Sequence, residues 1–436
     1  MRAFRSIVVV AALACAARAA SAQEVSQPPA DAPRVFLDCS YFCDDNFVRT
    51  ELNWVNWVRD RADAQVHLLI TRQQTGGGGS EFSLTFIGQE DLVRRTDTLA
   101  YTSPPTASQD DQRQGLLRVM QAGLMPFTLA TSVGPRLQVT MGAPADTAAG
   151  AAVDAPARDP WNYWVFTLSA RSNIDGEESQ RFGSYRGNVS ANRTTDAFKI
   201  RIGANANYNE SEFDLTDADS TERTIRSIRK GYDLNVLAVK SLGAHWSAGV
   251  QSGATSGTFG NISLGLNGGP AVEYSLWPYA ESNRRSLVAR YSVGVRSFDY
   301  REVTIFDRTA ETHPFHSLDL ELDLRQPWGS ISFSTDLSQY LHDAQKYSVG
   351  FFGNANISLF KGFSLDFFGN YDLIRDQLSL SKAELTDAEV LLRQRQLETS
   401  YRYFAGFGIR YSFGSIFNNV VNPRFGEGGG GGIIFF

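Results

Sequence analysis

Few residues of this chain stand at spacings that could do chemistry. Five histidines occur, His67, His245, His313, His316 and His342. None belongs to an H-E-x-x-H pair, which would set two imidazoles on one helical face around a metal. No G-x-S-x-G supplies a strained nucleophile turn. Gly76–Gly79 and Gly428–Gly432 lack the Lys-Ser/Thr that completes a phosphate loop, so both read as flexible connectors. Cys39 and Cys43 are four apart, and in an oxidising compartment a disulfide between them is the default. No second Cys/His cluster stands ready to complete a zinc site. These patterns predict neither an enzyme nor a resident cofactor or metal.

Charge at alternate positions is the stronger chemical signal. Lys199 and Arg201 stand between Phe198, Ile200 and Ile202. Arg290 and Arg296 face the opposite way from Leu287, Ala289, Tyr291, Val293 and Val295. Asp319, Glu321, Asp323 and Arg325 alternate with Leu318, Leu320, Leu322 and Leu324. Asp336, Asp366, Asp372 and Arg410 hold similar places further on. Side chains on a strand point to opposite faces in turn, so each segment has one apolar face and one charged or small polar face. A charge on a lipid-facing position costs about 2–4 kcal/mol at the membrane midplane. In a barrel all twelve of these charged residues should therefore face the lumen.

The positioning elements are strands too long for a soluble sandwich. In Ile262–Leu276 the apolar residues occupy alternate positions, and the pattern resumes from Ser286 to Arg296. Each run passes the ten or so residues that a tilted strand needs to cross a bilayer. Twelve such rows follow one another from Trp161 to Phe413. Short turns, such as Glu281–Asn283, Gln326–Gly329 and Lys361-Gly362, alternate with longer polar loops near 174–181, 209–230, 256–261, 302–315, 342–346 and 374–399. That alternation is the habit of outer-membrane barrels. The reading is mainly β: a transmembrane antiparallel β-barrel of about 12 strands over 161–414, preceded by a small periplasmic α/β domain at 34–141.

The remaining segments fit export. Arg2 and Arg5, the apolar run Ile7–Ala14 and Ala20-Ser21-Ala22 make a signal peptide over 1–22. A lipoprotein signal at Cys15 fits less well, because Ala12 stands where such signals usually have Leu. In the α/β domain the spacing predicts strands at 35–38, 66–71, 82–87 and 136–141. It predicts helices from about Asn46 to Ala62 and from Asp110 or Asp111 to Met125, the second interrupted by Pro126. Residues 142–160 read as a linker and 415–436 as a Gly-rich tail. The formal net charge of −6 argues against a nucleic-acid partner.

Gly408-Ile409-Arg410-Tyr411-Ser412-Phe413 ends the last row. It resembles the signal by which barrel assembly machinery recognises outer-membrane proteins, carried here by Gly408, Tyr411 and Phe413. It departs from the usual pattern by lying 23 residues before the last residue of the sequence. Gly269-Pro270-Ala271-Val272-Glu273-Tyr274 resembles the salt-stress-induced outer-membrane protein family over part of the barrel, which implies a small barrel and not an enzyme. Two functions follow as expectations. One is a narrow channel or passive transporter for small polar or charged solutes. The other is a structural barrel that anchors residues 34–141 to a periplasmic protein partner. Either sits in outer-membrane lipid and depends on the barrel assembly machinery.

Overall fold

The computed structural model describes residues 28–39, 43–137, 159–216, 222–383 and 396–419. The expected leader, most of the expected linker and the second glycine run lie outside these residues.

The first unit is a five-stranded sheet. Its strands are β1 (Arg34–Asp38), β2 (Asn56–Trp57), β3 (Val66–Gln74), β4 (Ser80–Gly88) and β5 (Thr96–Ser103), in the order β2-β1-β3-β4-β5. β1 runs parallel to β2 and β3, while β3, β4 and β5 are antiparallel neighbours. Val66, Leu68 and Ile70 on β3 and Phe82, Leu84 and Phe86 on β4 share a buried face with Leu116, Met120 and Leu124 of helix α2 (Gln109–Thr128). The helix lies close because Gly123 sits over the Phe86 ring, where a Cβ would come within 2.0 Å of its Cζ. Cys39 and Cys43 are joined by a disulfide, with Cα atoms 5.9 Å apart. His67 is fully buried, its Nε2 2.9 Å from Asp38 Oδ2.

Several local expectations need correction. The first helix, α1, spans only Asp45–Glu51, because Asn56 and Trp57 leave it to pair with β1. Val55 and Val58 keep helical spacing, yet they are buried outside any helix, on either side of β2. α2 is capped by Ser108, with Asp111 as the reciprocal member of a capping box, and it carries Pro126 within its last turn. β5 was not expected. Arg136 lies in a 3-10 turn, Gly134–Arg136, instead of opening a strand, and residues 138–141 are outside the described range.

The second unit is a twelve-stranded antiparallel meander in strict sequence order. Its strands are β6 (Trp164–Gly176), β7 (Gln180–Thr194), β8 (Phe198–Thr216), β9 (Glu222–Ser241), β10 (Trp246–Gly257) and β11 (Ile262–Ser275). They continue as β12 (Arg285–Tyr300), β13 (Ala310–Gln326), β14 (Gly329–Tyr340), β15 (Tyr347–Phe360), β16 (Phe363–Ile374) and β17 (Tyr401–Tyr411). Leu168, Val189, Leu234, Val250, Leu266, Val295, Phe351, Phe367 and Phe407 are exposed on the outer face. So continuous an apolar surface belongs in lipid. Aromatic residues gather at two heights. Phe198, Trp246, Tyr274, Phe363, Tyr411 and Phe413 lie near the short turns, and Tyr185, Tyr208, Tyr232, Tyr371 and Tyr401 near the long loops. On β8 the belts are ten residues apart, about 34 Å along the strand and about 25 Å along the membrane normal at a tilt of about 40°. Among the described residues no ladder joins β17 to β6.

Strand ends reach further than the sequence pattern indicates. β13 begins at Ala310, so His313 and His316 lie in a strand and not in a loop. β8 and β9 extend beyond the upper aromatic belt, where Arg226 pairs with Glu210, and Arg181 of β7 pairs with Glu212 at 3.1 Å.

The two units are in contact around the short-turn end. Arg61 Nη2 donates to Ser358 O at 2.8 Å, Lys361 pairs with Asp63 at 2.5 Å, and Gly362 N–H donates to Asp60. Arg325 Nη1 donates to Arg72 O at 3.2 Å and Asn283 Nδ2 to Ser83 Oγ at 3.1 Å. Past β17, Phe417 bridges to Val58, and Asn418 N–H donates to Trp57 O. At the far rim, the β3–β4 turn approaches β7 so closely that a Cβ on Gly76 would lie 2.5 Å from Thr194 Cβ. The α/β unit therefore lies across the short-turn mouth from the β15–β16 turn to the β7–β8 turn.

Candidate functional site

The inner face is built by register. One row crosses seven consecutive strands: Glu273, Arg290, Asp319, Asp336, Gly350, Asp372 and Arg402 are direct neighbours from β11 to β17. Arg290 holds Asp319 at 3.1 Å and Glu273 at 3.7 Å, and Arg402 holds Asp372 at 2.8 Å. Asp336 stands between these pairs over Gly350, where a Cβ would lie 2.4 Å from its Oδ1. Tyr279, from the turn after β11, donates to Glu273 Oε1 at 2.9 Å and shares a 2.7 Å hydrogen bond with Ser247. Burial holds the Tyr279 phenol above its usual pKa, so at neutral pH it remains a donor to that carboxylate.

The strands opposite are poor in acid. Lys199 and Arg201 lie on β8, and amides fill the neighbouring rows. Asn188 Nδ2 donates to Asn205 Oδ1 at 2.6 Å. Asn235 and Asn267 converge over Gly253, where a Cβ would meet their Oδ1 atoms at 3.4 and 2.6 Å. A cavity of about 580 Å³ joins the two walls, with Arg201, Asn235, Asn267, Arg290, Asp319 and Asp336 among its lining residues. That inner residues from β7 to β14 share one cavity shows that the sheet curls upon itself.

At the loop end the lumen narrows. The segment after β16 folds inward, and Leu378 packs on Phe315 and Tyr340, with Phe298 beside them. All three rings belong to the inner face. Arg296 lies over the Phe315 ring at 4.0 Å and the Tyr340 ring at 5.5 Å. The segment is held by Asn261 Nδ2 to Ser379 O at 3.0 Å, and by Ile305 N–H to Leu380 O and Lys382 N–H to Val303 O at 2.9 Å each. It forms an apolar constriction above a charged chamber. His313 and His342 stack just beside it, ring centroids 3.6 Å apart, and His313 Nε2 lies 2.8 Å from Glu311 Oε2.

The other charged residues singled out in the sequence divide. Asp323 accepts from Ser332 Oγ at 2.6 Å, and Asp366 accepts from Asn356 Nδ2. Glu321 keeps the face of Asp319 and Asp323, opposite Val288 and Ser334. Arg325 reaches out of the lumen to the α/β unit. Arg410 is exposed on β17, opposite Ser364. Gly408 lies opposite Asp366, while Tyr411 and Phe413 stack at 5.7 Å on the outer face. Glu273 and Arg402 were missed, although each sits at an alternating position beside aromatic residues. Nothing in the sequence marks Leu378, whose partners are distant in the chain.

No family model matches the chain, and no curated protein matches it. The resemblance to the salt-stress-induced family therefore rests on residues 269–274 alone. Solved structures do match. The NanC porin is 13% identical, over 57% of this chain and 100% of its own, with a TM-score of 0.26. The translocator domain of the autotransporter NalP from Neisseria meningitidis is 9% identical, over 57% and 81%, with a TM-score of 0.18. CdiB from Acinetobacter baumannii is 10% identical, over 79% of this chain and 59% of its own, with a TM-score of 0.26. The class is defined by the ladders, the apolar outer face and the two aromatic belts: this is the fold of outer-membrane β-barrels.

Proposed function

We propose that the chain is a narrow outer-membrane channel for small polar or charged solutes, with its short turns and α/β unit on the periplasmic side. The observation that carries this reading is a pair of charges. Arg201 and Asp336 are exposed inside the lumen, and neither has an ion-pair partner among the described residues. A dry, plugged barrel would bury such groups only at a cost of several kcal/mol each, so water reaches this lumen. The constriction at Leu378 sets the size limit, and no catalytic reaction is assigned to the site. Planar-bilayer recording of the full chain tests it: discrete conductance steps are expected, and electrical silence across all voltages overturns the reading.

A second reading is favoured by the docked α/β unit, whose contacts run around most of the short-turn rim. It makes the barrel an anchor that presents residues 34–137 to a periplasmic protein. Under that reading the full chain is silent in bilayers, and cross-linking in cells captures a partner at the α/β unit.

A further inference from the structure

We infer that the lumen chamber selects small dipolar solutes that carry a carboxylate at one end, an ammonium at the other and an amide between, as a short peptide does. This rests on the channel reading above. β8 and β14 are the third and ninth strands of the twelve, six apart, so Arg201 and Asp336 lie on opposite walls of one cavity. Neighbouring charges are already matched: Arg290 by Asp319 and Glu273, Arg402 by Asp372. Arg296 is turned onto the Phe315 and Tyr340 rings. Among the charged residues that line this cavity, that leaves for a solute the Arg201 guanidinium on one wall and the Asp336 carboxylate on the other. A guanidinium offers a planar fork that fits a carboxylate, and a carboxylate accepts from an ammonium. Between them the amides of Asn235 and Asn267 meet over Gly253, with Gln251 in the next row. An amide presents one donor group and one acceptor, which matches the two sides of a peptide bond. A uniformly anionic solute would meet Asp336, and a cationic one Arg201. Only a dipolar molecule finds both walls favourable.

Liposome swelling with the full chain at low ionic strength tests this, because salt screens the field. The probes are glycylglycine and N-acetylglycinamide, which share an amide and differ in carrying or lacking the two charges. Glycylglycine is expected to enter several-fold faster. In Arg201→Gln and in Asp336→Asn the ratio of the two rates should fall to about one, while Arg201→Lys should keep it well above one. Working with the ratio removes differences in how much protein inserts. Equal rates in the wild type, or an unchanged ratio in both neutralised variants, overturn the inference. If neither probe enters faster than into protein-free liposomes, it is the channel reading that fails.

Discussion

Leu378 is the residue on which the outer constriction turns. Burying a leucine side chain is worth about 1.5–3 kcal/mol, and Leu378 is only 6% exposed against Phe315 and Tyr340. The three hydrogen bonds to and from the backbone of residues 379–382 contribute about 1 kcal/mol each, and Ser381 Oγ to Glu302 and the exposed Lys382–Asp307 pair add to them. Leu378→Ala therefore removes less than half of what seats the segment. It should stay in place over a wider opening, and single-channel conductance should rise modestly. Leu378→Lys acts differently. It loses the burial and sets an ammonium beside the Arg296 guanidinium, which already occupies the faces of Phe315 and Tyr340. A charge held there costs several kcal/mol, enough to offset those contacts. The segment should leave, and conductance should rise well above that of the alanine variant. Hydrogen exchange at the amides of Ile305 and Lys382 reports on the segment independently of current. Fast exchange in Leu378→Lys with wild-type conductance would show that the segment does not narrow the path. Slow exchange in that variant would show that Leu378 is not what seats it.

Three other expectations concern assembly and docking. Cysteines at Ser83 and Asn283, whose side chains are 3.1 Å apart, should oxidise to a bond visible as a mobility shift on non-reducing gels; free thiols at both after oxidation would mean that the α/β unit does not rest on the β11–β12 turn. Tyr411→Ala with Phe413→Ala removes two exposed aromatics, Phe413 being 78% exposed, so little packing is lost and any failure lies in recognition. Loss of the heat-modifiable folded band is expected, and normal assembly would make 408–413 an ordinary strand end. Finally, the bilayer core tolerates no open sheet edge, so in nanodiscs the β6 amides that do not bond β7 should pair with β17 and exchange as slowly as those of β8; rapid exchange there would rule out a closed barrel.

The twelve strands were legible because lipid imposes a rule along every spanning segment. Leu318, Leu320, Leu322 and Leu324 can face only outward, which fixes the orientation of Asp319, Glu321 and Asp323 without any knowledge of neighbours. Above the membrane that rule lapses. Glu210, Glu212 and Arg226 face outward on β8 and β9 into water, so their alternation carries no hydrophobic signal and reads as loop. The α/β unit misled for a related reason. Val55 and Val58 satisfy helical spacing, but burial on either side of the short strand that pairs with β1 satisfies them equally well. Partners across the lumen depend on register, which one strand cannot reveal. Arg296 shares the face of Arg290 and yet lies on two rings, because its own row holds Asn267 and His313 and no carboxylate. Leu378 was invisible altogether, since two leucines, Leu378 and Leu380, in a polar loop are too few to show a period.

The even strand number has a consequence for the α/β unit. It brings the chain back, after β17, to the end at which the α/β unit sits. There Trp57 N–H donates to Asn419 Oδ1 and Val58 bridges to Phe417, across some 360 residues of sequence. The sheet of the α/β unit is complete within residues 34–103 and needs nothing from the barrel to pair its strands. Local contacts of that kind form early, while contacts across hundreds of residues wait for everything between them. The bridge to 416–419 therefore forms only once β17 is in place, as do the bonds from Asp60 and Asp63 to the β15–β16 turn once β15 and β16 have paired. Docking of the α/β unit is thus complete only when the last strands are laid down, while its contacts with Thr194, Asn283 and Arg325 need only the earlier strands.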